Sequence, residues 1–147
     1  MPEVRPLAIC VFRHQDKILV CEGYDPTKDQ TFYRPLGGRI EFGERSNETV
    51  HRELLEEIGA EVKDLVYLGA LENIFTFDGK PGHEIVQVYD GMLVDTALYE
   101  QVEISGFESE VSEPMKVIWK RLDEFGPGKS ILYPDGLFGM LNYSIPK

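Results

Sequence analysis

Glu53, Glu56 and Glu57 lie three and four residues apart, a spacing that on an α-helix puts all three carboxylates within an arc of about 100°. Val50, Leu54 and Ile58 fall at i, i+4 and i+8 beside them and form an apolar stripe that would anchor such a helix in a core. Gathering three anions on one patch is unfavourable, and more so in a cleft, so a cation should offset them. Arg52 can reach Glu56 at i+4, but a hard divalent cation with oxygen ligands is the better match for acids facing a cleft. Mg²⁺ keeps several waters, one of which could serve as a nucleophile. Taken alone, an acidic helix face is more often a solvated surface, here paired with Arg45 and Arg52.

The residues ahead of the helix change that balance. The order is Gly38, five residues, Glu44, seven residues, Arg52-Glu53-Leu54, one residue, Glu56-Glu57, one residue and Gly59. Leaving Leu54 aside, the seven specified Gly, Glu and Arg identities at ordinary usage would match by chance on the order of 10⁻⁸ per starting position. This pattern resembles the signature of the Nudix hydrolase family over residues 38–60. The flanking strand-like runs also resemble that family's α/β/α sandwich with a mixed β-sheet, so the likeness covers most of the chain. The resemblance implies a loop-helix-loop in which Glu53, Glu56 and Glu57 bind one or more Mg²⁺ or Mn²⁺ ions. It also implies that the backbone carbonyl of Gly37 or Gly38 completes the coordination and that Arg52 ties the loop to the helix through Glu44. The implied reaction is attack of water on a phosphoanhydride of a small nucleoside diphosphate derivative, such as a nucleoside triphosphate or ADP-ribose. A carboxylate would take the proton, with Glu84, Glu110, Glu113 and the helical glutamates as candidates. Two positions depart from the family pattern: Ala60 replaces a bulky aliphatic, and Pro35-Leu36-Gly37-Gly38 replaces the usual Pro-Gly-Gly.

The elements that would position these groups follow from pattern. Residues 46–58 contain no Gly or Pro and start with Ser46-Asn47, a pair suited to capping, so they predict a helix of about three turns with Gly59 as its C-cap. Residues 7–12 and 17–21 are β-rich and joined by the polar stretch 13–16, which predicts a hairpin. A charged loop is expected over 23–30, an extended segment over 31–34, and a glycine turn at Gly37-Gly38. Strands are expected over 65–71 and 84–93 with a turn at 78–82 between them, then mostly loop over 96–113 and a strand over 116–120. A short turn at 122–125 and a closing helix over 135–142, packed by Leu137, Phe138, Met140 and Leu141, would end the chain. Hairpins mixed with a central helix argue for an α/β (α+β) sandwich rather than a doubly wound parallel sheet.

A nucleotide pocket needs an apolar surface for the base and a few directed polar groups. Among Tyr33, Phe75, Phe77, Phe107 and Trp119, the pair Phe75 and Phe77 is favoured because it lies near a turn. Arg34, beside Gly37 and Gly38, is placed either to grip a phosphate or to pair with a surface acid. His83-Glu84 reads as a strand start, and His14 and His51 as surface residues.

Twenty-six acidic against fifteen basic residues give a net charge of −11, which disfavours a nucleic-acid polymer or an acidic membrane as partner. The same acidity is compatible with a phosphate substrate only where bound cations invert the local field. The 147 residues fit one domain, spanning 1–147. Residues 1–6 lack the positive and apolar regions of a signal peptide, and nowhere do about eighteen apolar residues run together, so a cytoplasmic location is expected. Cys10 and Cys21 each sit in an apolar run and are expected as buried free thiols. Exposed edge strands would permit a homodimer. A second reading is a nucleotide-sensing module without turnover, which the complete set of helical glutamates argues against.

Overall fold

The computed structural model describes residues 2–108 and 112–144. Its strands are β1 (Arg5–His14), β2 (Lys17–Asp25), β3 (Gln30–Arg34), β4 (Leu36–Arg39), β5 (Val62–Phe77), β6 (Lys80–Leu93), β7 (Glu103–Glu108), β8 (Glu113–Arg121) and β9 (Ile131–Leu132). The helices are α1 (Ser46–Ile58) and α2 (Leu137–Ser144). β1 and β2 pair only beside their turn, at Arg13↔Ile18 and His14↔Lys17, and then diverge. β1 lies between β6, to which it runs parallel, and β4, to which it runs antiparallel, with β5 on the far side of β6. β2 joins β3 and β8, with β7 and β9 beyond them. The sheet is therefore mixed, as expected.

The alternation of a strand explains how one sheet is covered on both sides. Leu7, Ile9 and Val11 point to one face and pack with Val86, Val88, Leu137 and Leu141 of β6 and α2. Ala8, Cys10 and Phe12 point to the other and pack with Val50 and Leu54 of α1. All six β1 residues are buried, which is why this segment reads as a continuous apolar run. Both cysteines are buried and free, and burial pushes both thiols up from their usual range. Among the described residues, no helix is long and apolar enough to cross a membrane.

Several sequence expectations are corrected. Gly37-Gly38 is not a turn but the middle of β4, in register with Ile9 and Ala8 of β1. Gly37 has φ +153°, and a Cβ there would stand 2.1 Å from the carbonyl oxygen of Ala8, so glycine lets β4 close onto β1. Residues 96–113 are not mostly loop: a 3-10 turn at Thr96–Glu100 leads into β7. The strand pattern of β7 is faint because only Ile104 is buried, and the strand is held by pairing with β8. β5 and β6 run longer than expected and meet in a tight turn at Asp78-Gly79, both with positive φ. Ser46 is the first helical residue rather than the cap. Arg45 holds the N-cap position, and its N–H donates to Glu48 Oε1 at 2.8 Å. Gly59 ends α1 in the left-handed conformation, φ +66°, with its N–H on Leu55 O.

Candidate active site

The apolar stripe of α1 sets the direction of its acids. Val50 and Leu54 are fully buried against the sheet, and this turns Glu53 and Glu57, one helical turn apart, toward β4. Glu53 is 6% exposed and Glu57 3%, whereas Glu56 faces solvent. The seat for Glu53 is a missing side chain: a Cβ on Gly38 would lie 2.3 Å from Glu53 Oε1. Glu57 Oε1 accepts the Gly37 N–H at 3.1 Å.

Arg52 organises the outer half of the cluster. Its Nε donates to Glu44 Oε2 at 2.7 Å and its Nη2 to Glu44 Oε1 at 2.9 Å, a two-point grip. Nη2 also donates to the Arg39 carbonyl at 2.9 Å, tying the end of β4 to the helix. Nη1 donates to Glu53 Oε2 and lies 3.4 Å from Glu56 Oε2. Thr49 Oγ1 adds a bond to Glu44 at 2.7 Å. The Arg52 guanidinium, with help from Thr49 and the Glu41 N–H, holds the Glu44 carboxyl down at about 2.

Glu53 and Glu57 behave in the opposite way. Burial, then the charges of Glu53 and Glu108, push Glu57 up to about 9 against the opposing pull of Arg34 and the Gly37 N–H. Burial pushes Glu53 up to about 7, with Arg52 opposing and Glu56 and Glu108 adding to it. Two carboxylates out of water beside further acids either hold protons or need a cation, and an all-oxygen donor set suits a hard divalent ion. Among the described residues, no three acidic, His or Cys side chains are already arranged to hold an ion. Arg52 Nη1 contacts both Glu53 and Glu56, so the guanidinium stands between these two acids.

Glu108 was missed by sequence reasoning. It ends β7, its side chain is 20% exposed, and it accepts from Arg34 Nη2 at 3.4 Å. A lone glutamate in a polar stretch carries no local signal, since the pairing of β7 with β8 is what brings it to α1. Of the other proton acceptors considered, Glu113 is exposed at the start of β8, Glu84 lines a separate cavity, and Glu110 lies outside the described residues.

That cavity, of about 260 Å³, is walled by Phe32, Phe75, Phe77 and Tyr133 and has Arg34 on its lining. Phe32 meets Phe77 and Tyr133 edge to face, with centroids 6.0 and 5.5 Å away. Phe75 lies over Gly82, where a Cβ would come within 2.3 Å of its ring. Arg34 thus serves two places, the cavity and the carboxylates of Glu108 and Glu57. The other aromatics considered are structural or peripheral. Tyr33 packs on Phe125 and donates to Glu22, Trp119 stacks on Tyr99 and donates to Leu98 O, and Phe107 is exposed on β7. His51 is exposed, as expected, but His14 is half-buried against Tyr99 and Trp119.

Comparison with known proteins agrees with this geometry. The family model described as NUDIX domain matches residues 2–134. The chain is 36% identical over 92 residues to the NAD-capped RNA hydrolase NudC of Mannheimia succiniciproducens, covering 63% of this chain and 29% of that protein. It is 32% identical over 115 residues to the Haemophilus influenzae protein of the same name, covering 76% and 38%. The chain therefore spans well under half the length of these curated relatives. Among solved structures, a MutT NUDIX hydrolase from Burkholderia pseudomallei superposes with a TM-score of 0.68 at 16% identity, covering 97% of this chain and 99% of that one. A NUDIX hydrolase from Nitrosomonas europaea gives 0.65 at 17% identity, covering 95% and 87%. These two likenesses establish the fold. With the family model spanning nearly all of the sequence, the chain belongs to the Nudix hydrolases, a family of pyrophosphohydrolases acting on acid anhydrides.

Proposed function

We propose that this chain hydrolyses a phosphoanhydride bond in a small nucleoside diphosphate derivative. The observation that carries the reading is the position of Arg34, which joins an aromatic cavity to a buried carboxylate cluster. The aromatic end takes the base, with Phe75 and Phe77 among its walls. Arg34 presents a planar fork to the phosphate oxygens. Glu53, Glu56, Glu57 and the Gly37 carbonyl would hold Mg²⁺ or Mn²⁺, with Gly38 leaving the space that Glu53 occupies. Bound there, such an ion neutralises charge on the phosphates and lowers the pKa of a water molecule. Water attacks phosphorus, the anhydride P–O bond breaks toward the departing phosphate, and a carboxylate accepts the proton of the water. We assign that proton to Glu108 or to one of the buried pair Glu53 and Glu57, three acids close enough for the charges of Glu53 and Glu108 to act on Glu57. Arg52 and Glu44 act as positioning residues that fix the start of α1 against β4.

The curated relatives are named for NAD-capped RNA. The net charge of −11 favours a small molecule over an RNA chain for this protein. The test is incubation with Mg²⁺ and a panel of nucleoside triphosphates, ADP-ribose, NAD and nucleotide sugars, with the wild type beside Glu57→Gln. Cleavage of at least one compound, lost in the variant, is expected. Failure to cleave any of them, or an unaffected Glu57→Gln, refutes the reading, and tight binding without turnover would turn it toward a sensor.

A further inference from the structure

The floor of the aromatic cavity carries a row of polar groups from three neighbouring strands. Asn73 on β5 stands opposite Glu84 on β6, and Glu84 stands opposite Arg5 on β1. All three line the cavity. They belong to the face on which Leu7, Val86 and Leu71 pack toward α2, so the row replaces what would otherwise be apolar floor. Asn73 is 4% exposed and its amide is fixed at both ends: Oδ1 accepts the Asp135 N–H at 3.0 Å, and Nδ2 donates to Glu84 Oε1 at 3.2 Å. The orientation of Glu84 is thereby set by a buried group that cannot turn over without losing both bonds.

We propose that Glu84 selects the base, and that the base is guanine. This deepens the reading of the cavity as a base site and rests on it. A carboxylate only accepts hydrogen bonds, and it is best satisfied by two adjacent N–H donors. Guanine presents N1–H beside the N2 amino group. Adenine and cytosine set their amino group next to a ring nitrogen that is itself an acceptor, so a carboxylate would face a lone pair. Uracil offers one N–H flanked by two carbonyls. Next to the paired donors guanine carries the O6 acceptor, and Asn73 Nδ2, which gives one N–H to Glu84 and has a second, lies on the same floor. The aromatic walls supply stacking that does not distinguish bases, so discrimination falls to Glu84. The cavity, about 260 Å³, suits one base with its sugar rather than both halves of a dinucleotide.

The test is equilibrium binding of GMP, IMP and AMP to the full chain by calorimetry, with wild type and Glu84→Gln. IMP differs from GMP only in lacking the amino group, so it probes the proposed contact without altering the protein. GMP is expected to bind roughly 10- to 100-fold more tightly than IMP or AMP, the range for a hydrogen bond to a charged group. Glu84→Gln keeps an oxygen for Asn73 and is expected to compress that preference at least about tenfold while retaining the wild-type melting temperature. Equal binding of GMP and IMP, a preference for AMP, or an unchanged preference in Glu84→Gln overturns the proposal, as does a failure of all three to bind. Because the readout is binding, a guanine preference in a protein that cleaves nothing would uphold this inference while refuting the hydrolase reading.

Discussion

Replacing Glu57 by Gln should make the metal-free protein more stable at alkaline pH. Glu57 is raised from 4.5 to about 9, chiefly by burial. Between those values the folded protein holds a proton there that the unfolded chain has released, so stability is full below about 4.5 and falls as pH rises toward 9. Each pH unit in that window costs on the order of 1 kcal/mol, so about 2–3 kcal/mol is lost between pH 6 and pH 8. Glu53, raised to about 7, adds a smaller part over the lower half of the interval. The two acids repel one another and do not titrate independently, so about 3 kcal/mol for the pair is the appropriate magnitude. For a domain of this size that corresponds to a melting temperature lower by about 6–12 °C at pH 8 than at pH 6. Gln keeps the acceptor for the Gly37 N–H at 3.1 Å and has no proton to lose, so the variant should retain only the Glu53 part, about 1 kcal/mol. Mg²⁺ at 100 times its dissociation constant should add about 2.7 kcal/mol to the wild type and much less to the variant. The measurement is thermal unfolding in chelator and in Mg²⁺ at both pH values. A melting temperature that does not fall between pH 6 and pH 8 in chelator, or a Glu57→Gln protein less stable than wild type at pH 8, would refute the buried-charge argument.

Two further outcomes follow from the same contacts. Glu44→Gln should cost about 2 kcal/mol at neutral pH and much less near pH 2, because a carboxyl held at about 2 contributes stability above 4.5 that is lost as pH falls toward 2; denaturant titration at the two pH values checks this. Gly38→Ala places a methyl where the Glu53 carboxylate lies, so Mn²⁺ affinity, read by paramagnetic resonance, should drop at least about tenfold while circular dichroism stays native; unchanged affinity would show that Glu53 does not need that seat.

What could be read from the sequence was local. The bounds of α1 follow from an unbroken run of helix formers, an i, i+4, i+8 apolar stripe and a glycine stop, and 46–58 was legible to the residue. The spacing of Glu44, Arg52 and the helical acids was legible for the same reason. What stayed hidden depends on pairing between distant segments. Glu108 reaches α1 only because β7 pairs with β8, and Asn73 meets Glu84 only through the long β5–β6 hairpin. Helical spacing places Glu53, Glu56 and Glu57 on one arc, but it does not say which of them enter the protein. The contact with β4 buries Glu53 and Glu57 and leaves Glu56 in solvent. The pair Gly37-Gly38 illustrates the limit well: glycines punctuate chains, and these two sit within a strand, Gly37 because β1 closes on it and Gly38 because Glu53 of α1 presses into the place of a side chain.

That pressed contact bears on how the protein could change. Glu53 and Glu57 are keyed to β4 itself, one filling the place of an absent side chain and the other bonded to a strand N–H. The intervening residues 40–45 carry Phe42, which is wholly exposed, and Gly43, beside which a Cβ would meet nothing. The two inner carboxylates therefore belong to a junction of strand and helix, and the segment linking them can be redecorated at Phe42, though not at Gly43, whose φ of +85° suits glycine, while the inner donors keep their address.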